Sequence, residues 1–374
     1  MAINNEFVPQ VAIHPGHILL EEIKSRHMSQ VEFAERTGIT PKHMSEIVNG
    51  KADVTPEVAM LLESATGTPA RMWMTLQMQY DEIQARQKAE ECLEKDVEAV
   101  KLFPYNEIQK IWSFLPNTRK PRERVVALRQ FFCVSSLSLF VENIDSNRFT
   151  ISASAFRTTG QSASREIDRY ALASWVQIGQ LQAAKGEIEY TYNQTKLKKM
   201  AKQIPEISAM PDLVVAWSKI KQGLTLCGVK VVLVPYISRT YVNGAVYWED
   251  ETPVIVLNAK SSYWDSFIFT LLHEIGHILM HGKYYSSLSF DETHVQQTNN
   301  NEETEADQFS LNTLISHEKF ESFLTGYHGS EQAVREFANS IPVDAGVVGA
   351  RMAKENYFGW PYCNRFRRRV KISP

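Results

Sequence analysis

Cysteine is scarce in this chain: Cys92, Cys133, Cys227 and Cys363 are scattered through 374 residues and form no CxxC pair. That excludes a disulfide framework and a zinc–thiolate site, and points to reduced thiols in a reducing compartment. Long apolar runs are missing too. "VKVVLVPYI" is among the longest, well short of the roughly 18 residues that a membrane helix needs. No basic-then-apolar signal opens the sequence. No charge of one sign dominates, since the formal net charge is −3, so no overall attraction to nucleic acid or acidic membranes is expected. Internal repeats and low-complexity tracts are absent as well. The expectation is a cytoplasmic protein without membrane contact, long enough for two or three domains.

What the sequence has in abundance is helix punctuation near its start. Ser29-Gln30-Val31-Glu32 fits a capping box, in which hydroxyl and carboxylate each satisfy a free amide. Thr40-Pro41, Thr55-Pro56 and Thr68-Pro69 each place a capping threonine before a proline suited to the first helical position. Gly38, Gly50 and Gly67 fall where the preceding helices should stop. Five helices follow, over approximately 15–26, 29–37, 40–49, 55–66 and 69–89. Ala34 and Gly38 are small enough for the second and third to pack closely, as in a helix-turn-helix with 40–49 as the recognition helix.

The fold class expected is multidomain. An all-α helix-turn-helix domain over 1–90 precedes a mainly helical middle region of unknown role over 91–225. An α+β domain over 226–374 ends in the basic run "RFRRRVK". In the middle region Leu172, Trp175, Val176, Gly179 and Leu181 follow helical spacing, and "TTGQSAS" (158–164) reads as a loop. From residue 229 the period changes to β-branched runs, with turns expected at Asn243-Gly244 and Asp250-Glu251. A long apolar helix over roughly 262–281 follows, ending at Gly282, and another begins near Asn301. Further helices are expected over 330–356.

The long helix carries "LLHEIGHILMHG". His273 and His277 lie one turn apart, so both imidazoles can reach one metal ion, with Glu274 beside them as general base. His-Glu-x-x-His on a helix is the zincin pattern, and zinc lowers the pKa of its water from about 16 to about 7. A metzincin would continue with glycine and histidine where Met280 and Lys283 stand. The remaining option is a carboxylate from a following helix, the gluzincin arrangement. "NNEETEADQFSLNTLI" offers Glu303 and Asp307, four apart on one face. Glu303 is assigned as third ligand and Asp307 as the acceptor that orients His273. Glu302 and Glu305 compete, but neither has a carboxylate four residues on. Ala306 permits close approach of the two helices. His281 as a fourth ligand would close the site, so it reads as structural or substrate-facing. Tyr284, Tyr285, His294, His317 and Tyr327 are candidates for the oxyanion donor. The strand "VIVL" (254–257), if an edge, offers substrate a place to add; Pro253 suits an edge. The bland alternative is a buried helix whose histidines only satisfy core hydrogen bonds.

"TPVIVLNAKSSYWDSFIFTLLHEIGHILMHGK" followed by "EETEADQFSLNTLI" resembles the ImmA/IrrE family of zinc metallopeptidases, and "DAGVVGARM" resembles a later segment of that family. The resemblance covers about 230–360. It implies a zinc endopeptidase that cuts helix-turn-helix repressors of the Xre class. The family helix often ends in proline where Ser316 stands here, a difference confined to the helix terminus. Residues 14–81, from "HPGHILLEEI" to "LQMQYD", resemble HigA-type antitoxins. That resemblance implies operator DNA binding as a homodimer, with a toxin as partner.

Residues 1–90 hold eight Lys/Arg and twelve Asp/Glu, a balance that opposes strong non-specific DNA binding. The recognition helix still presents Thr40, Lys42, His43, Ser45 and Asn49, followed by Lys51, as candidates for base and phosphate contacts. "RFRRRVK" reads as a solvated tail that could supplement DNA contact or join an interface. Two functions fit. One is a DNA-tethered zinc endopeptidase acting on an Xre-type repressor or on itself. The other is a non-catalytic antitoxin or repressor whose zinc domain is a sensor or dimerisation module.

Overall fold

A computed structural model describes residues 13–146, 167–186, 188–259, 262–283, 285–290 and 301–370. The loop expected at 158–164, and Tyr284, His294 and Lys371, lie outside these residues. The chain divides into two compact units, 1–95 and 96–374.

The first unit holds α1 (Pro15–Ser25), α2 (Gln30–Thr37), α3 (Pro41–Val48), α4 (Pro56–Thr66) and most of α5 (Ala70–Val100), whose last residues belong to the second. Ser29, Thr40 and Thr55 cap α2, α3 and α4 as their spacing requires. The capping box is only half made: Ser29 accepts from the Glu32 amide, while the Glu32 carboxylate pairs with Arg36 one turn on. Gly38 serves conformation, not packing, since it sits at φ +73° with nothing within 4 Å of an added Cβ. The close approach lies elsewhere. A Cβ on Gly16 would fall 1.9 Å from the Ile47 carbonyl oxygen, so α1 can rest on α3 only with glycine there. α5 runs past the expected end at 89, because no glycine or proline interrupts the chain between Ala70 and Pro104. Leu19, Phe33, Met44, Ile47, Leu62 and Trp73 form the core of this unit.

In the second unit α6 (Tyr105–Ile111), α7 (Pro121–Phe132), α8 (Leu137–Asp145), α9 (Arg169–Ala183), α10 (Gln194–Ser208) and α11 (Leu213–Leu226) precede the strands. β1 (Lys230–Val234), β2 (Val242–Glu249) and β3 (Thr252–Asn258) follow, then β4 (Ser262–Tyr263), α12 (Trp264–Met280) and β5 (Ser287–Phe290). The remainder is α13 (Asn301–Leu314), α14 (His317–Thr325), α15 (Glu331–Ser340), α16 (Ala345–Lys354), α17 (Trp360–Cys363) and β6 (Arg369–Val370). The layout is the multidomain α and α+β one expected. Among the described residues no single helix is long and apolar enough to cross a membrane. Only α7 and α8 taken together, bent by 57°, reach that length and composition.

The main sheet has the order β1-β3-β2-β5, with β1 parallel and β2 antiparallel to β3. The strand 254–257 is therefore interior and has no edge to offer, which corrects the expectation. Pro253 stands near the start of β3, opposite Trp248 of β2 and one residue before the pairing with β1 begins at Val254. Asn243-Gly244 forms no turn either. It lies within β2, at an irregularity in the pairing with β5. The turn at Asp250-Glu251 does form, with Asp250 at φ +52°. β3 is buried from Pro253 onward because both sheet faces are covered. On one side Val256 meets α9 where Gly179 leaves room; on the other Ile255 and Leu257 join the core around α12. Leu197, Ile204, Trp217 and Ile220, on α10 and α11, belong to this same core, although their sequence position assigned them to the middle region. Amphipathic spacing shows that a helix has a buried face, not what covers it.

"RFRRRVK" is not a solvated tail. Arg367 embraces buried Asp265 at 2.8–3.0 Å, and Arg368 meets Asp344 at 2.6 Å while donating to the Met210 and Ser208 carbonyls. β6 pairs with β4, and the Trp264 amide donates to the Arg368 carbonyl. The segment fastens the start of α12, so these two arginines are not available to DNA. Burial pushes the Asp265 carboxyl up to about 6 even against Arg367.

Asp96 anchors the first helices of this unit. Its buried carboxylate accepts from Arg129, the Ser136 and Ser138 hydroxyls, and the Leu137 and Ser138 amides. Burial opposes its ionisation, but these donors prevail and hold the carboxyl at about 2. A folded pKa below the usual carboxylate range means the stabilisation is complete above that range and lost as pH falls toward 2. Asp96→Ala is expected to cost about 3–5 kcal/mol at neutral pH, since it strands Arg129 and several donors. Denaturant unfolding should show the gap to wild type closing between about pH 4 and pH 2. A pH-independent gap would refute this account.

Candidate metal centre and recognition helix

Two helices build the first site. Most apolar residues of α12, among them Trp264, Ile268, Leu271, Leu272 and Ile275, are fully buried in the core of its unit. One turn apart on the same helix, His273 and His277 are 2% and 1% exposed, and Glu274 is 0%. Gly282, at φ +76°, follows the helix end. α13 places Glu302 and Glu303 in its first turn, where the helix dipole favours carboxylates. The helices meet at small residues: a Cβ on Gly276 would lie 3.3 Å from the Cα of Ala306 and 3.2 Å from Phe309. Ser316 ends that stretch of chain and caps α14 through the Lys319 amide.

This crossing brings His273, His277 and Glu303 together, with one potential ligand atom of each within 4.8 Å of the others. Among the described residues they are the one such group of His, Cys, Asp or Glu. The two Nε2 atoms are 2.9 Å apart. Glu303 places Oε2 3.1 Å from His273 Nε2 and Oε1 3.4 Å from His277 Nε2. Donors at zinc-like bond lengths of about 2.0–2.1 Å in a tetrahedron lie about 3.3–3.4 Å apart. Two imidazoles and a carboxylate at these separations therefore suit a divalent transition-metal ion. Asp307 Oδ1 is 2.8 Å from His273 Nδ1, which turns the opposite ring nitrogen toward the cluster.

The three side chains also shift one another's ionisation. Burial, the largest influence, disfavours the imidazolium of His273, but the bonds to Asp307 and Glu303 outweigh it and raise it to about 10. His277 is shifted down, chiefly by burial. Burial works against the Glu303 carboxylate, yet the two histidines hold its pKa far below the usual carboxylate range.

Tyr285, a candidate oxyanion donor, and His281, expected to be structural or substrate-facing, also meet here. The Tyr285 ring stacks on His277 at 4.7 Å and its hydroxyl donates to Glu303 at 3.2 Å. Of the candidate oxyanion donors, His317 is exposed beside Glu321 and Tyr327 packs on Phe323. His281 Nδ1 lies 3.0 Å from His277 Nδ1, and its Nε2 lies 3.1 Å from Glu305. The spacing of 277 and 281, one helical turn, carried that signal; Glu305 on α13 did not. Glu305 also lines an open cavity of about 560 Å³, with Lys202, Met280, Gln308, Phe309 and Asn312.

The recognition helix is α3. Lys42, Thr40, Asn49 and Lys51 are exposed, and His43 and Ser45 half-buried. Several are already engaged: Thr40 caps the helix, and the Asn49 amide donates to the Ser45 carbonyl and hydroxyl. Glu46, missed in the sequence reading, lies 3.9 Å from Lys42 Nζ and 3.8 Å from His43 Nδ1. Its spacing of four from Lys42 was the available signal. An acid on this face lowers the positive potential offered to phosphate.

Comparison with known proteins divides the chain the same way. The family model described as Peptidase_M78, IrrE N-terminal-like domain, matches residues 231–352. A helix-turn-helix model matches 19–73. A relative described as an uncharacterized HTH-type transcriptional regulator, YddM of Escherichia coli, is 38% identical over 63 residues, covering 17% of this chain and 67% of its own. Virulence-associated protein A' of Dichelobacter nodosus is 30% identical over 83 residues, 22% of this chain and 70% of its own. A solved addiction module antidote protein of a HigA family, from Coxiella burnetii, is 34% identical, covering 23% of this chain and 94% of its own, with a TM-score of 0.22. The chain belongs to the helix-turn-helix family through residues 19–73, and its residues 231–352 match the IrrE N-terminal-like domain of the Peptidase_M78 model.

Proposed function

We propose that the chain is a DNA-binding transcription regulator whose C-terminal domain is a zinc endopeptidase. Its substrate is a regulatory protein, an Xre-type repressor or the chain itself, cut in a stress, mobile-element or toxin–antitoxin response. The observation that carries this reading is the fully buried Glu274 beside the cluster of His273, His277 and Glu303. A structural metal site has no use for a general base, and three protein ligands leave one position open. Zinc, when bound by those three, supplies Lewis acidity toward a peptide carbonyl. Glu274 takes the proton from the attacking water and passes it to the leaving amine. Tyr285, its phenol kept protonated by burial and by the Glu303 charge, is the oxyanion donor. Extended substrate pairs along β5, which among the described residues has β2 as its neighbour and ends the sheet.

Delivery to an operator by a cytoplasmic homodimer, with a toxin as further partner, belongs to the same reading. The helix-turn-helix match and the relative described as a transcriptional regulator support the DNA contact. Lys42 and Lys51 are its main phosphate contacts, while Thr40, His43, Ser45 and Asn49 shape the groove face.

Glu274→Gln should bind zinc as wild type does, yet cleave at least about 100-fold more slowly. Mass spectrometry after incubation with candidate repressors, scoring self- and trans-cleavage, checks this; equal product from both proteins would refute the peptidase. Glu303→Ala should abolish tight zinc binding, and Asp307→Ala weaken it about 10–100-fold, in chelator competition. Unchanged zinc in Glu303→Ala would move the third ligand elsewhere. In gel shifts with the upstream promoter, Lys42→Glu should weaken binding about tenfold and flatten the salt dependence by about one counterion. Glu46→Gln should tighten it. Identical behaviour of both variants would favour a protein-binding role for this domain.

A further inference from the structure

We propose that His281 and Glu305 form a hydrogen-bonded relay that orients the metal ligand His277, making both of them positioning residues of the proposed metal site. The inference rests on the metal-site reading above.

Each ligating imidazole has a second nitrogen to satisfy, and what it meets fixes the ring's tautomer and direction. For His273 that partner is Asp307. His277 is buried and has no carboxylate in the corresponding place; its Nδ1 faces another imidazole, 3.0 Å away on the next turn. Two identical nitrogens make a hydrogen bond only if one carries the proton and the other a lone pair.

His277 presents Nε2 toward His273 and Glu303, so as a neutral ligand it keeps its proton on Nδ1. His281 Nδ1 must then accept, which puts the His281 proton on Nε2. That atom lies 3.1 Å from Glu305 Oε2, an acceptor. The assignment runs in one direction without conflict, from His277 through His281 to Glu305. Tyr285 supports it from the side, its ring 4.7 Å from both imidazoles. The outcome is a second carboxylate-ended support, longer by one imidazole than that of His273. Both supports start from α13 and reach α12, so the same helix crossing sets them.

His281 thus lies outside the ligand set and serves through His277, and Glu305 serves at the end of the relay. Glu305 is also where the relay reaches solvent, since its side chain is 60% exposed.

Zinc affinity by chelator competition tests the relay, with visible spectra of the cobalt form to report ligand geometry. Melting of each metal-free variant controls for folding. His281→Ala should weaken zinc about 10–100-fold and perturb the cobalt spectrum. Glu305→Ala should weaken it about tenfold, with unchanged metal-free melting. Glu305→Gln keeps an acceptor and should stay within about twofold of wild type. If Glu303→Ala loses zinc while His281→Ala and Glu305→Ala bind it as wild type, the relay is wrong and the metal site stands. Equal losses in Glu305→Gln and Glu305→Ala would also overturn it, because the relay needs an acceptor and not a charge. Wild-type affinity in both Glu303→Ala and His277→Ala would overturn the metal site and the relay together. Should His281→Ala melt early without metal, the exposed Glu305 variants decide.

Discussion

The crossing of α12 and α13 sets the distance at which the carboxylates of Glu303 and Asp307 meet the imidazoles of His273 and His277. It can be that close only because glycine faces alanine there: Gly276 on one helix lies against Ala306 on the other. A β-branched residue at either position would push the carboxylates of α13 away from the imidazoles of α12. His273 would then lose both Glu303 and Asp307. Buried ionisable groups without partners cost several kcal/mol each, so the helix could not keep them in its interior. Packing of small residues and placement of charge are here one constraint.

The rest of the unit serves to hold α12 still. Its apolar residues fill the space between the sheet and helices α10, α11 and α16. Its first residues are tied to the segment 365–370 by the β4–β6 pairing and by the Arg367–Asp265 pair. Arg368 ties the same segment to Asp344 at the start of α16. Such buried pairs add little net stability, because desolvation offsets most of the attraction. What they supply is position. The arginines that look in sequence like an electrostatic tail are the clamps of the peptidase-like domain.

In the helix-turn-helix unit the surface chemistry is balanced, not basic. Lys42 and His43 lie near Glu46, and Thr40, Ser45 and Asn49 spend part of their hydrogen-bonding capacity on their own helix. A face of this kind offers little net positive potential to a phosphate backbone. That agrees with the acidic balance of the first ninety residues.

Much of this was legible in the order of residues. Helix starts and stops in 14–67 are local events, governed by threonine hydroxyls, prolines and left-handed glycines, and local events can be read from a window. The spacing of His273, Glu274 and His277 is equally local, because one helix carries all three. Reading failed where two distant segments had to meet. β3 looked like an edge because β1, which pairs with it from Val254 onward, lies well upstream; Asn243-Gly244 looked like a turn because β5, whose pairing with β2 is irregular there, lies about forty residues on. Arg367 and Arg368 looked solvated because Asp265 and Asp344 are far away in sequence. By itself the sequence determined the elements, the helix that carries the histidines and the residue types of the cluster. The tertiary structure alone decided that Glu305 reaches His281 and that Arg367 and Arg368 reach Asp265 and Asp344, because those contacts depend on how closely distant segments pack.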